Sequence, residues 1–332
     1  MDLSVKYLGL DLRNPLIVSS CRLTETIENI KRMEQAGAGA IVMYSIFEEE
    51  IRNDDDFNQA VLNIGADSFA EALTYFPKLD ARSSFLDQHL LHLEKAVKAT
   101  TIPIIGSLNA ITHQGWIEYA IAMQNTGIKA LEINLYHLPV NAPTALELET
   151  RSLDLIRELK QKIRIPLVIK LSPFYTSLKD FVFKLDKELH VDGIVLFNRF
   201  YYPDIDIKTL KLKANIELSN SYEARLAMRW IALLQDQLAC TVIGSTGVNA
   251  PEDLIKYLLV GADAVQCASC LMKNGIDYLT TLLDGLKQWM AEKHYTAIPQ
   301  ICGLLSLKSV PNRAEFERAQ YMHALRSFKF AP

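Results

Sequence analysis

One phrase recurs along this chain and leaves few folds open to it: a helix-like segment, a Gly or Asp-Gly break, then a short apolar run. It appears as EQAGAGAIVMYS (34–45), NTGIKALEINLY (125–136), HVDGIVLFN (190–198) and VGADAVQCAS (260–269). Apolar runs of a second kind lie between them: TIPIIGSLN (101–109), RIPLVIKLS (164–172) and ACTVIGSTG (239–247). NPLIVSS (14–20) completes a set of eight. The intervening segments carry apolar residues at helical spacing, as at Leu153, Ile156, Leu159 and Ile163. Strands hydrophobic on both faces imply a parallel sheet covered by helices. Eight strand and helix units in about 280 residues match a (β/α)8 TIM barrel. An open doubly wound sheet would need a glycine-rich turn after its first strand, and VSSCRLTET contains no glycine.

The expectation is therefore an α/β protein, a single domain over 1–332 with a helical tail over 301–332. VKYLGLDLRNP (5–15) reads as a small N-terminal β-hairpin, turning at Gly9 and plugging the barrel bottom. The βα loops at 47–83 and 199–220 are long, and long loops of this kind cover active sites. The chain carries 35 basic and 39 acidic residues, a net charge of −4, so no field draws it to nucleic acid or anionic membrane. No run reaches the ~18 apolar residues a spanning helix needs, and MDLSVKYLGLDLRNP lacks the pattern of a signal peptide. Five cysteines without framework spacing suit a reducing, cytoplasmic setting. Cys267 and Cys270 form a CxxC without a second ligand pair, and read as core thiols; no metal is expected.

Alternation places Ala130, Glu132 and Asn134 toward the barrel axis in the fourth strand, and Val168 and Lys170 in the fifth. The same parity puts Ile194, Leu196 and Asn198 inward in the sixth. Lys170 is the informative residue, because an unpaired ammonium inside a barrel costs several kcal/mol. It calls for an anion or an electron-rich ring. On the far side, Gly244-Ser245-Thr246-Gly247 ends a strand and Ala268-Ser269 ends the next, the usual place for phosphate in this fold. A flat phosphorylated cofactor across the mouth fits these groups; so does a Schiff-base lyase using Lys170.

The sequence resembles the flavin-dependent dihydroorotate dehydrogenase family over nearly its whole length. The matching pieces are YLGLDLRNPLIVSS, AGAGAIV with Ser45, EINL with Asn134, VIKLSPF with Lys170, LFN with Asn198, and VIGSTGV…EDLIKYLLVGADAVQCAS…MKNG. The resemblance implies FMN over the mouth of a (β/α)8 barrel. It places Ser20 and Ser45 near the flavin ring, and Asn134, Lys170 and Asn198 against flavin or substrate. Gly244 to Gly247, Ala268 and Ser269 would hold the phosphate, and Ser221 would lie near the ribityl chain.

The departures from the family pattern gather on the substrate side. NLYHLP puts His137 at the position of the residue that removes a proton from dihydroorotate, and Pro139 where a substrate-binding Asn is expected. The family's Lys after the second strand is Tyr44, its Asn-Ser after the sixth is Asn198-Arg199, and its glycine-rich substrate segment is missing from 53–76. The implied protein is an FMN-dependent oxidoreductase acting on a small anionic substrate, with Lys170 as electrostatic partner, His137 as acid/base and Arg199 as carboxylate anchor. The alternative to both enzymes is a non-catalytic flavin-binding subunit. Without an iron–sulfur cysteine cluster, electrons leave by a soluble acceptor or a partner protein; the tail packs either under the barrel or against a second subunit, and the latter would make a homodimer.

Overall fold

A computed structural model describes residues 1–52, 84–135, 144–200, 202–213, 216–309 and 320–327. The N-terminal hairpin pairs β1 (Val5–Tyr7) with β2 (Leu10–Leu12). The barrel strands are β3 (Leu16–Val18), β4 (Ala40–Val42), β6 (Ile104–Asn109), β7 (Ala130–Asn134), β8 (Leu167–Leu171), β9 (Gly193–Leu196), β12 (Thr241–Gly244) and β13 (Ala264–Cys267). They run parallel in the order β4-β3-β13-β12-β9-β8-β7-β6, and β6 pairs back to β4 to close the ring. This is a (β/α)8 barrel, as the strand rhythm implied.

Each strand splits its residues between two cores. Leu131, Ile133, Ile169 and Leu171 pack outward beneath the helices, while Ile17, Ile105, Ala130, Val168, Val195, Ile243 and Ala264 form an inner apolar layer. Two residues further along the same strands stand Ser19, Ser107, Glu132, Lys170, Ser245 and Gln266, all buried. With side chains alternating along each strand, the axis turns from apolar to polar on the way to the mouth.

Strand β9 departs from the expected parity. Ile194 and Leu196 face the helices, and Val195, level with Lys170 and Ile243, faces the axis. Asn198 lies beyond the strand, which ends at Leu196, so its place at the mouth does not follow from alternation within β9.

The hairpin does plug the bottom. Leu8 and Gly9 turn at positive φ, 52° and 78°, the pairing a two-residue primed turn requires, and Tyr7, Leu8 and Leu12 join the inner layer. At the same end, carboxylates receive the N–H groups with which strands begin. Asp192 accepts from Leu167, Asp263 from Val242, Asp186 from Ala239 and Cys240, and Glu34 from Thr101 and Ile102. The helices start on side-chain caps: Thr26 for Ile27–Gln35, Ser84 with Asp87 for Phe85–Ala99, Thr112 for His113–Gln124, and Thr144 with Glu147 for Ala145–Lys162.

Beyond the barrel, β5 (Ile46–Phe47) extends the sheet beside β6, and Glu48 fixes it there by accepting from the N–H groups of Ile111 and Thr112. The excursion after β9 is a two-stranded hairpin, β10 (Asp204–Asp206) with β11 (Lys211–Lys213). Most of the loop expected at 47–83 lies outside the described residues. In the tail, a helix spans Gln320–Ser327.

Candidate active site

Lys170 rises from β8 into the polar layer and is met from three sides. Its Nζ lies 3.1 Å from Glu132 Oε1, 3.0 Å from Gln266 Oε1 and 3.2 Å from Ser19 Oγ. Gln266 Nε2 in turn donates to Glu132 Oε2 at 2.5 Å, and Ser19 Oγ stands 3.1 Å from Gln266 Oε1. The anion this lysine called for is thus first of all Glu132, from the neighbouring strand. The upper side of the cluster opens on a cleft lined by Ser19, Ser20, Lys170 and Gln266 at one end.

The other end of the cleft is the turn after β12. Thr246 and Gly247 both take positive φ, 77° and 75°, which gathers successive N–H groups on one side of the chain. A Cβ on Gly247 would stand 2.5 Å from the Ala224 nitrogen, and one on Gly244 would stand 2.4 Å from the Tyr257 ring. Tyr257 explains the second contact: its hydroxyl lies 2.7 Å from the carbonyl oxygens of both Ser245 and Thr246 and pins the turn. Ser219 Oγ donates to Ser269 Oγ at 2.9 Å and accepts from Gly247 N–H, adding hydroxyls beside the turn.

Ser20, Lys170, Asn198, Arg199, Ser245, Thr246, Gly247, Ala268 and Ser269 line this one cleft. Gly244 sits behind it as the last residue of β12. Ser45 and Asn134 reach it through hydroxyls: Ser20 to Ser45 at 3.0 Å, Ser45 to Ser107 at 2.7 Å, and Asn134 Nδ2 to Ser107 at 3.0 Å. Arg199 is already matched, its Nε 2.9 Å from Glu223 Oε2 and a second nitrogen on the Glu217 carbonyl. Ser221 donates to Asp253 at 2.6 Å, while Ser219 takes the place on the cleft. His137 lies outside the described residues.

Sequence reasoning missed Ser19, Ser107, Ser219 and Gln266. The alternation applied to β7 and β8 would have found Gln266, two residues beyond the inward Ala264. A second cleft adjoins the mouth at Ser20 and Ser45, walled by Tyr44, Phe47 and Phe85 with Glu25 and Glu50. Burial, with Glu25 and Glu50 nearby, raises the Tyr44 phenol above its ordinary range. The CxxC sulfurs are buried, and the neighbouring Cys270 thiol together with burial pushes the Cys267 thiol up. Among the described residues no group of three or more His, Cys, Asp or Glu could hold a metal ion, and no helix is long and apolar enough to cross a membrane.

The donor set fits a flavin mononucleotide. An ammonium and an amide stand at one end, where a ring that gains negative charge needs them. Hydroxyls and a turn in which Gly247 admits no side chain stand at the other, as a phosphate needs.

A family model described as "Dihydroorotate dehydrogenase" matches residues 2–290. The chain is 26% identical over 315 residues to the "Dihydroorotate dehydrogenase B (NAD(+)), catalytic subunit" of Thermoplasma volcanium, covering 91% of this chain and 98% of that protein. It is 25% identical over 309 residues to the protein of the same name from Methanocaldococcus jannaschii, covering 91% and 97%. The chain belongs to the dihydroorotate dehydrogenase family, flavin-dependent oxidoreductases that act on a CH–CH group.

Proposed function

We propose that the chain binds FMN across the barrel mouth and moves hydride between it and a small anionic substrate, dihydroorotate, orotate or a related compound. The observation that carries this reading is Lys170, a cation held inside the barrel by Glu132, Gln266 and Ser19 and open to the cleft. When bound, FMN supplies the two-electron acceptor. Lys170 would stabilise the negative charge that the bound ring gains, and charge aimed at a developing anion is usually the largest single contribution to catalysis. Ser219, Ser269 and the Ser245–Gly247 turn hold the phosphate, while Ser20 and Ser45 bound the ring. Asn134 and Asn198 offer donors and acceptors to a planar substrate. Arg199 can grip a carboxylate in bidentate fashion by exchanging Glu223 for it. His137, at the position the resemblance gives to the acid/base, exchanges the substrate proton.

A Schiff-base role for Lys170 fits less well, since an ammonium paired with a buried carboxylate has no free lone pair for a carbonyl. The relatives' names carry NAD(+) and the words catalytic subunit, which favours electrons leaving through a separate partner. The unpaired thiols of all five cysteines suit the cytoplasm.

A second copy of the chain is the proposed partner for the hairpin β10–β11. Ile205 faces Leu212 across the pair, flanked by the opposite-charge pairs Asp204 with Lys213 and Asp206 with Lys211. Ile205, Ile207, Leu210 and Leu212 are 62–84% exposed. Together they bare a contiguous set of large aliphatic side chains, the kind of surface that marks an association site.

Purified protein tests the cofactor: absence of flavin absorption with no uptake of added FMN ends the reading. Anaerobic addition of dihydroorotate or a related dihydropyrimidine carboxylate should bleach the bound flavin. A His137→Ala variant that bleaches as fast as the parent removes the histidine from the chemistry.

A further inference from the structure

Tyr7 carries a polar atom into the apolar half of the barrel. The hairpin at the bottom drives its ring into the layer of Ile17, Ile105, Val168 and Ile243, where it is wholly buried. Its hydroxyl has no hydrogen-bond partner among the described residues. A buried donor without an acceptor is costly, and phenylalanine would fill the same space without that cost.

The polar layer begins directly above. Glu132 follows the inner-layer Ala130 by two residues on the same strand, as Lys170 follows Val168 and Gln266 follows Ala264. Glu132 is also the charged group whose field reaches Tyr7, adding to burial in raising its phenol. Its Oε1 accepts from Lys170 and its Oε2 from Gln266, and each carboxylate oxygen has a further lone pair. The groups that meet this carboxylate are Lys170 from β8 and Gln266 from β13, and Tyr7 of the hairpin lies in the layer below it.

We propose that one ordered water bridges the Tyr7 hydroxyl to the Glu132 carboxylate, and that Tyr7 thereby acts as a positioning residue for Lys170. Buried waters occupy such places, between polar groups that protein atoms leave unbonded. The bridge gives Glu132 a donor from below as well as from above. The carboxylate then need not draw the ammonium down into the barrel, and Lys170 stays at the height of the cleft. The structural part stands on this chain alone; the consequence for a bound flavin rests on the FMN reading.

Tyr7→Phe removes the hydroxyl and keeps the ring. If the bridge exists, the variant unfolds at a lower temperature than the parent. The loss disappears in a background where Glu132→Leu and Lys170→Met remove the charge pair and every acceptor together. A crystal structure of the parent shows a water within hydrogen-bond reach of both groups, and that of Tyr7→Phe lacks it. An equal or higher unfolding temperature for Tyr7→Phe, a loss that persists without the charge pair, or an empty site in the parent crystal would each overturn the proposal. These readouts need no cofactor, so they decide even if FMN does not bind. In protein whose absorption shows bound FMN, Tyr7→Phe also lowers the flavin midpoint potential, because Lys170 is drawn toward Glu132. An unchanged potential would refute the positioning role.

Discussion

Lys170 Nζ lies 3.1 Å from Glu132 Oε1, and the two side chains are 6% and 0% exposed. Removing one member strands the other charge in a dry barrel. Lys170→Met alone should therefore cost about 3–5 kcal/mol of stability, while replacing a buried pair by apolar groups can be neutral. Urea unfolding should show the single loss and its recovery in Lys170→Met/Glu132→Leu. The recovered protein should still reduce its flavin at least ~100-fold more slowly, the scale of losing one donor at a developing charge. Stability and activity separate in this pair, and full recovery of both would contradict the electrostatic role.

Tyr257 and Gly244 form a lock behind the Ser245–Gly247 turn. The ring lies where a Cβ on Gly244 would fall, 2.4 Å away, and its hydroxyl pins the carbonyls of Ser245 and Thr246. Gly244→Ala must displace backbone or ring, so the turn opens and FMN affinity is lost. Tyr257→Phe keeps the packing and removes the pin, for a loss of about tenfold, the worth of roughly one hydrogen bond. Titration of the apoprotein with FMN, followed by fluorescence quenching, measures both.

The barrel was legible because its strands are short continuous Val, Ile and Leu runs, and local composition decides that signal. Asn134 and Lys170 could be aimed by alternation alone, since each lies within its strand. Asn198 could not, lying beyond the end of β9, and one parity for all three residues misdirected Ile194 and Leu196. Glu132 was read as inward, yet its bond to Lys170 runs diagonally: Glu132 is level with Val168, and Lys170 stands two residues further on. Gln266 reaches the same ammonium from β13, three places around the ring from β8, and only closure brings it there. Ser221 looked like a cleft residue by position, but Asp253 engages its hydroxyl.

The hairpin β10–β11 has one face of opposite-charge pairs and another of uncovered Ile and Leu, and an isolated two-stranded ribbon is marginal in water. Association with a second copy would cover that face. Ile205→Asp with Leu212→Asp places two like charges directly opposite each other at its centre. Sedimentation should show the parent as a dimer and the variant as a monomer. A parent that sediments as a monomer refutes the association, and a variant that remains dimeric moves the interface elsewhere.

Asp263 supplies a pH dependence of the fold. Burial raises its carboxyl from 3.8 to about 6, against the lowering effect of the Val242 N–H it accepts. The folded chain therefore binds this proton more tightly than the unfolded chain does. Stability contributed by the protonated form is present at low pH and is lost as pH rises from about 4 through about 6. Asp263→Asn keeps an acceptor for Val242 and abolishes the ionisation. Its unfolding temperature should match the parent's below about pH 4 and exceed it by about 4 °C near pH 8, the scale of roughly 3 kcal/mol for a carboxyl raised from 3.8 to about 6 in a chain of this length. Glu34 and Asp186 behave in the opposite sense, since for each the hydrogen bonds it accepts outweigh burial and hold it below its ordinary range. Acid destabilises the fold through them. The comparison with Asp263→Asn isolates one term from that background, because every other carboxylate is common to both proteins. A difference that is constant across this range would mean that Asp263 titrates as an ordinary carboxylate and that its burial at the start of β12 is relieved in solution.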